Sequence, residues 1–168
     1  PEVNISTVED PVEYTLPGIH QVQVLREKGL DFSRALRSLM RQDPDIILVG
    51  ETRDKETAQT AMEAALTGHM VFTTLHANDT ATAITRLNEM GIPPYLVGSS
   101  VIGVMAQRLV RKVCLSCSTT KKVKNEDVLG SNYKLEEIRV ATINENGMQS
   151  DVVCPVCNGT GYKGRLGL

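Results

Sequence analysis

The apolar positions of this chain change period along its length, and the changes mark out strands and helices. From Ile46 to Val49 the residues are apolar without a break, with Asp43-Pro44-Asp45 before them and Gly50-Glu51-Thr52-Arg53-Asp54 after. A run without alternation predicts a strand covered on both faces, as in a parallel sheet flanked by helices. Pro44 blocks a helix on one side, and Gly50 frees the backbone on the other. Val3 to Val8 predicts a short strand closed by Glu9-Asp10-Pro11, and Gln21 to Leu25 alternates weakly as a strand. Val71 to Leu75 predicts another, with His76 just beyond it.

Helical spacing fills the intervals. Asp31 is a candidate N-cap for a helix with Phe32, Ala35, Leu36, Leu39 and Met40 on one face and Arg34, Arg37 and Arg41 opposite. Asp54 can cap a second, whose Ala58, Ala61, Met62, Ala65 and Leu66 form a mostly small face, closed by Gly68. Asn78 or Asp79 caps a third through Ile84, Leu87 and Met90, stopped by Gly91 and Pro93-Pro94. A fourth is predicted from Tyr95 to Val110, where Arg108, Arg111 and Lys112 would suit the negative end of the helix dipole. Strand and helix alternating through short links is the parallel βαβ pattern with right-handed crossovers, so the fold class expected is α/β.

Beyond Cys114 the pattern gives way to a polar, Lys-rich segment containing Lys121, Lys122 and Lys124. Within it, Glu126–Leu129 and Leu135–Ile138 are expected as short helical turns and Val140–Ile143 as a strand. The length of 168 residues suits one domain, or a domain with a small module, and 41% apolar residues suffice for a core. A formal charge of -2 and the lack of a basic-aromatic groove argue against a nucleic-acid partner. The longest apolar run, Tyr95 to Met105, is too short and too interrupted to span a bilayer, and no signal peptide is present. A start at Pro1 without an initiator Met reads as part of something longer.

Glu9, Glu51 and His76 each follow or end a predicted strand, and in an open α/β sheet that edge is where ligands bind. Carboxylates there could hold Mg²⁺ or orient a water, and a histidine could contact phosphate. The bland alternative for Glu51 and Arg53 is a surface ion pair, and for the arginine stripe a solvated face. No G-x-x-x-x-G-K-[ST] occurs, so the chain carries no phosphate-cradling loop of its own. Cys114-x-x-Cys117 and Cys154-x-x-Cys157, separated by a long insert, have the spacing of a tetrahedral four-thiolate zinc site. Four cysteines leave no open coordination position, which makes such a metal structural.

With these residues in view a family becomes recognisable. Thr7-Val8-Glu9-Asp10-Pro11-Val12-Glu13-Tyr14 resembles the aspartate box of the secretion ATPase superfamily. Arg41-Gln42-Asp43-Pro44-Asp45 through Gly50-Glu51-Thr52-Arg53-Asp54 resembles its Walker B segment, and Thr67-Gly68-His69 through Thr74-Leu75-His76-Ala77-Asn78-Asp79 its histidine box. Ala106-Gln107-Arg108-Leu109 and the two Cys-x-x-Cys pairs are similar to the branch that powers type II secretion and type IV pilus assembly.

The resemblance implies a hexameric RecA-like P-loop ATPase whose phosphate loop lies upstream of Pro1. It divides the chain into a partial core at 1–112, a tetracysteine zinc-binding subdomain at 113–162 and a return segment at 163–168. Glu9 is then expected to polarise the attacking water, with Glu13 the second candidate. Glu51 is expected to act on Mg²⁺ through water, because Gly50 intervenes between strand and carboxylate. Asp45, at the other end of the strand, is expected to be structural. His69 and His76 would link the nucleotide site to subunit rearrangement, although His69 after Gly68 could instead serve the dipole of the preceding helix. Arg37, Arg41 and Arg53 are candidates for completing a neighbour's site. ATP, Mg²⁺ and Zn²⁺ are the ligands implied, and a homo-hexamer, an inner-membrane platform and cytoplasmic secretion or pilus components the partners. The location implied is cytoplasmic, at the inner membrane through those partners. This chain alone is expected not to hydrolyse ATP. A rival reading makes it a zinc-organised interaction module with a vestigial nucleotide site.

Overall fold

The computed structural model describes residues 3–122, 137–141 and 154–168, which form two compact units, 1–106 and 107–168. The first is built on β1 (Ile5–Glu9), β2 (His20–Gln23), α1 (Phe32–Leu39), β3 (Ile46–Val49), α2 (Lys55–Leu66), β4 (Met70–Thr73), α3 (Thr80–Glu89) and α4 (Pro94–Ser100). Its four strands form one sheet in the order β2-β1-β3-β4, with every pairing parallel. Val8 lies beside Val49, and Val49 beside Thr73, so β1, β3 and β4 end along one edge.

Three aspartates start the main helices as the sequence predicts. Asp31, Asp54 and Asp79 have extended backbones, and their side chains accept from the amides of Arg34, Thr57 and Thr82. Each such cap is worth about 1 kcal/mol. Phe32, Ala35, Leu36 and Leu39 of α1 and Ala61 and Ala64 of α2 pack with Val8, Ile47 and Val49 in one core cluster. Burying a side chain such as Leu36 or Ile47 stabilises by about 1.5–3 kcal/mol. A second cluster joins Ala58 and Met62 of α2 to Leu87, Ile92, Leu96 and Val97. β4 lies at the sheet edge, with Met70 and Phe72 substantially exposed.

The helix expected from Tyr95 to Val110 is not formed as such. α4 stops at Ser100, where Val101 turns to extended backbone, and Leu109–Val113 is strand β5. Gly98, Gly103 and the β-branched residues Val101, Ile102 and Val104 are poor helix formers. Arg111 and Lys112 therefore lie on a strand and cap no helix.

The second unit contains two antiparallel pairs, β5 with β8 (Tyr162–Gly167) and β6 (Thr119–Lys122) with β7 (Glu137–Val140). Ile138, expected in a helical turn, sits in β7 opposite Lys121. The turn expected at 126–129, Lys124 and the strand expected over 142–143 lie outside the described residues.

Candidate functional site

The parallel register sets the site. Glu9 is the last residue of β1, one position past Val8, which is buried against the helices. Side chains alternate along a strand, so Thr7 and Glu9 share the opposite face. Both hydrogen bonds to the Glu9 carboxylate fall on Oε1: Thr7 Oγ1 donates at 2.5 Å and Gln21 Nε2 at 3.0 Å. Gln21 lies on β2 directly opposite Thr7, which explains the reach. The same amide donates to Tyr14 O at 3.0 Å and accepts from Leu16 N at 2.7 Å, fastening the loop that follows Glu9. Glu13 is exposed on that loop.

Gly50 lets the end of β3, from which Glu51 emerges, lie close against the end of β1, which carries Glu9. The Gly50 amide donates to Val8 O at 2.8 Å. A Cβ there would lie 3.1 Å from Val8 O and 3.4 Å from Glu9 Cα, so the absent side chain is what permits this approach. Past the sheet, Thr52 N donates to Thr74 O at 2.9 Å and Thr74 Oγ1 to Gly50 O at 2.7 Å. These bonds carry β4's continuation alongside β3's and bring His76 to Glu51.

Glu51 Oε1 lies 2.5 Å from both Arg53 Nε and His76 Nε2, with the Glu51 side chain 18% exposed and His76 81%. Both contacts fall on this one oxygen, which is buried between the two side chains. Charge holds it: the Arg53 guanidinium keeps the Glu51 carboxyl below its usual range, against burial, and His76 adds to the lowering. The pairing in turn raises Arg53. Glu51 is thus an anion whose Oε1 is taken up by Arg53 and His76, so a hydrated divalent cation would be met by Oε2.

The remaining predicted residues are elsewhere. His69 Nδ1 sits 2.9 Å from Ala64 O and 3.2 Å from Thr67 Oγ1, at the C-terminal end of α2. Since a carbonyl only accepts, Nδ1 carries the proton there, as in the dipole-partner alternative. Arg37 pairs with Glu56 at 2.7 Å, both exposed, and Arg41 is exposed just after α1. Arg53 engages Glu51 of its own chain. Asp45 accepts from Asn4 N at 2.6 Å at the opposite end of the sheet, in a structural place. Thr7 and Gln21 were not singled out from sequence, because their approach to Glu9 depends on which strands pair.

In the second unit the Sγ atoms of Cys114, Cys117, Cys154 and Cys157 all lie within 4.8 Å of one another, with Cys117 and Cys157 3.6 Å apart. Zinc bonds of about 2.3 Å in a tetrahedron place sulfurs roughly 3.8 Å apart, so the group fits the ion. Asn158, Gly159 and Gly161 adopt positive φ, turning the chain so that the Gly161 amide reaches Cys157. Burial raises Cys157, but that amide and the neighbouring thiols outweigh it and bring it to about 7. Burial and the same neighbours push Cys117 up to about 12. A metal bound there would require the thiols to deprotonate, so its uptake would release protons.

Residues 1–168 match the family model described as Type II/IV secretion system protein. The chain belongs to that family. It is 52% identical, over its whole length, to 18% of the type IV pilus assembly ATPase PilB of Thermus thermophilus. It is 49% identical, over 98% of its length, to 30% of the type II secretion system protein HxcR of Pseudomonas aeruginosa. The chain therefore spans less than a third of either relative. Its fold is shared with the pilus retraction motor PilT with bound ADP, at a TM-score of 0.60 and 39% identity over 66% of this chain and 35% of that one. The α/β, RecA-like core expected from the family is the architecture found. Among the described residues, no helix is long and apolar enough to cross a membrane.

Proposed function

We propose that this chain is the ATP-hydrolysing part of a hexameric motor that drives assembly of pilin-like subunits in type II secretion or type IV pilus biogenesis. One observation carries the reading: β1, β3 and β4 end side by side on one edge of a parallel sheet, which delivers Glu9 and Glu51 to that edge with His76 in contact with Glu51, in a member of this family. Glu9 presents a carboxylate to orient the attacking water. Glu51, anionic and with Oε1 held by Arg53 and His76, would hold Mg²⁺ through water at Oε2. When bound, that ion neutralises the charge on the phosphate oxygens. The phosphate-binding loop comes from the rest of the protein, so this chain alone does not turn over ATP.

His76 touches Glu51 and so is placed to transmit the state of the site to the segment leading into α3. Arg37 and Arg41 lie exposed for a neighbouring subunit, and Arg53 would reach one only by leaving Glu51. The tetracysteine unit holds zinc as a structural ion. The motor works at the cytoplasmic face of the inner membrane, against a membrane-embedded platform.

The test is ATP turnover by the full-length protein carrying Glu9→Gln or Glu51→Gln. General-base removal costs about 10²–10⁴ in rate. A loss of that order with nucleotide binding retained supports the reading. Unchanged turnover favours the vestigial-site alternative and overturns it.

A further inference from the structure

The geometry points to Gln21 as a positioning residue that aims the Glu9 carboxylate and couples its aim to the loop spanning residues 10–19. This inference rests on the reading of Glu9 as the water-orienting group.

The Gln21 side chain has two donor hydrogens and one acceptor oxygen in play, and all are committed. Nε2 donates to Glu9 Oε1 and to Tyr14 O, and Oε1 accepts from Leu16 N. Turning the amide over would set its oxygen against the Glu9 and Tyr14 oxygens and its NH₂ against the Leu16 amide. The network therefore fixes one orientation. Thr7, two residues back on the same strand, donates to the same Glu9 oxygen at 2.5 Å. With both donors on Oε1, Oε2 is the oxygen presented to a water. A hydrogen bond to a carboxylate is about twice as strong as a neutral one, so Gln21 and Thr7 together restrain the carboxylate's rotation.

The network also ties two exposed loop residues, Tyr14 and Leu16, to the one amide that bonds Glu9. Tyr14 and Leu16 lie on the exposed loop that carries Glu13. Displacing that loop pulls on the Gln21 amide, and the amide is bonded to Glu9. Anything that docks on the loop is thereby felt at the carboxylate without touching it.

The experiment uses the full-length protein and measures steady-state ATP hydrolysis for Gln21→Met, Glu9→Gln and the double variant. Gln21→Met keeps length and removes every side-chain hydrogen bond, on a half-exposed edge strand. The expected result is a drop of about tenfold in kcat with KM for ATP unchanged, the factor for one lost hydrogen bond to a charged group. The double variant is expected to be no slower than Glu9→Gln alone, because Gln21 acts only through Glu9. Gln21→Glu retains the acceptor for Leu16 N but sets a carboxylate against Glu9, and is expected to be slower still.

Wild-type kcat in Gln21→Met, a rise in KM alone, or an additive loss in the double variant overturns the inference. If Glu9→Gln itself keeps full kcat, the assignment of Glu9 fails and takes this inference with it. If Glu9→Gln loses activity while Gln21→Met does not, the inference fails alone.

Discussion

Replacing Gly50 with alanine sets two effects of opposite sign against each other. The backbone there does not have positive φ, so alanine is allowed locally, and stiffening the unfolded chain would stabilise by about 0.4–1 kcal/mol. The added methyl, however, meets Val8 O at 3.1 Å and Glu9 Cα at 3.4 Å, both backbone rather than flexible side-chain ends. To restore ordinary contact the ends of β1 and β3 must part by roughly 0.3 Å, straining the 2.8 Å bond from Gly50 N to Val8 O. Overpacking of this kind costs about 1–3 kcal/mol, so the net expected is destabilisation by about 1 kcal/mol. If a 1 Å misplacement costs about 10² in rate, 0.3 Å costs about fourfold. Thermal melting and ATP turnover of the full-length Gly50→Ala protein measure the two together. An unchanged kcat with a raised melting temperature would show that the strand ends do not press on one another, and would refute the account of how Gly50 lets β1 and β3 close together at the site.

Other perturbations address separate parts of the structure. Asp54→Ala removes an acceptor for Thr57 N at 2.8 Å and for the hydroxyl of buried Thr57 at 3.0 Å. A lost cap and an orphaned hydroxyl predict a loss of about 2–3 kcal/mol in urea denaturation. Arg53→Gln should let the Glu51 carboxyl rise toward its ordinary range. Because the folded-state value is depressed, the stability it contributes is present at neutral pH and lost as pH falls through it. The wild type should therefore exceed Arg53→Gln most at neutral pH, with the gap closing in acid; a gap that widens in acid would reverse the sign. Stripping metal with a chelator should collapse hydrogen-exchange protection in the β5–β8 and β6–β7 pairs and leave the β1–β3 core protected.

Much of the core was legible because its signals are local. Asp31, Asp54 and Asp79 announce their helices through a side chain bonding an amide three residues on. The run Ile46–Val49 announces a strand buried between neighbours, and Cys-x-x-Cys spacing brings two ligands together by itself. What failed depends on distant pairing. Leu109–Val113 is a strand because Tyr162–Gly167 lies beside it, some fifty residues on. Read alone, the apolar spacing from Val97 to Met105 looks helical. Nor does the order β2-β1-β3-β4 show in the residues, and Gln21 gains its meaning only from lying across from Thr7. The contact of His76 with Glu51 is of the same kind. Each side chain was a candidate in isolation, but threonine bonds beyond the ends of the strands bring them together.

The most direct measurement is a structure of the full-length protein with Mg²⁺ and a non-hydrolysable ATP analogue. The account predicts the terminal phosphate at the C-terminal edge of the β1–β3–β4 sheet, with Glu9 one bridging water away and Glu51 facing the hydrated metal. A nucleotide bound with Glu9 and Glu51 both beyond reach of a single water would contradict it.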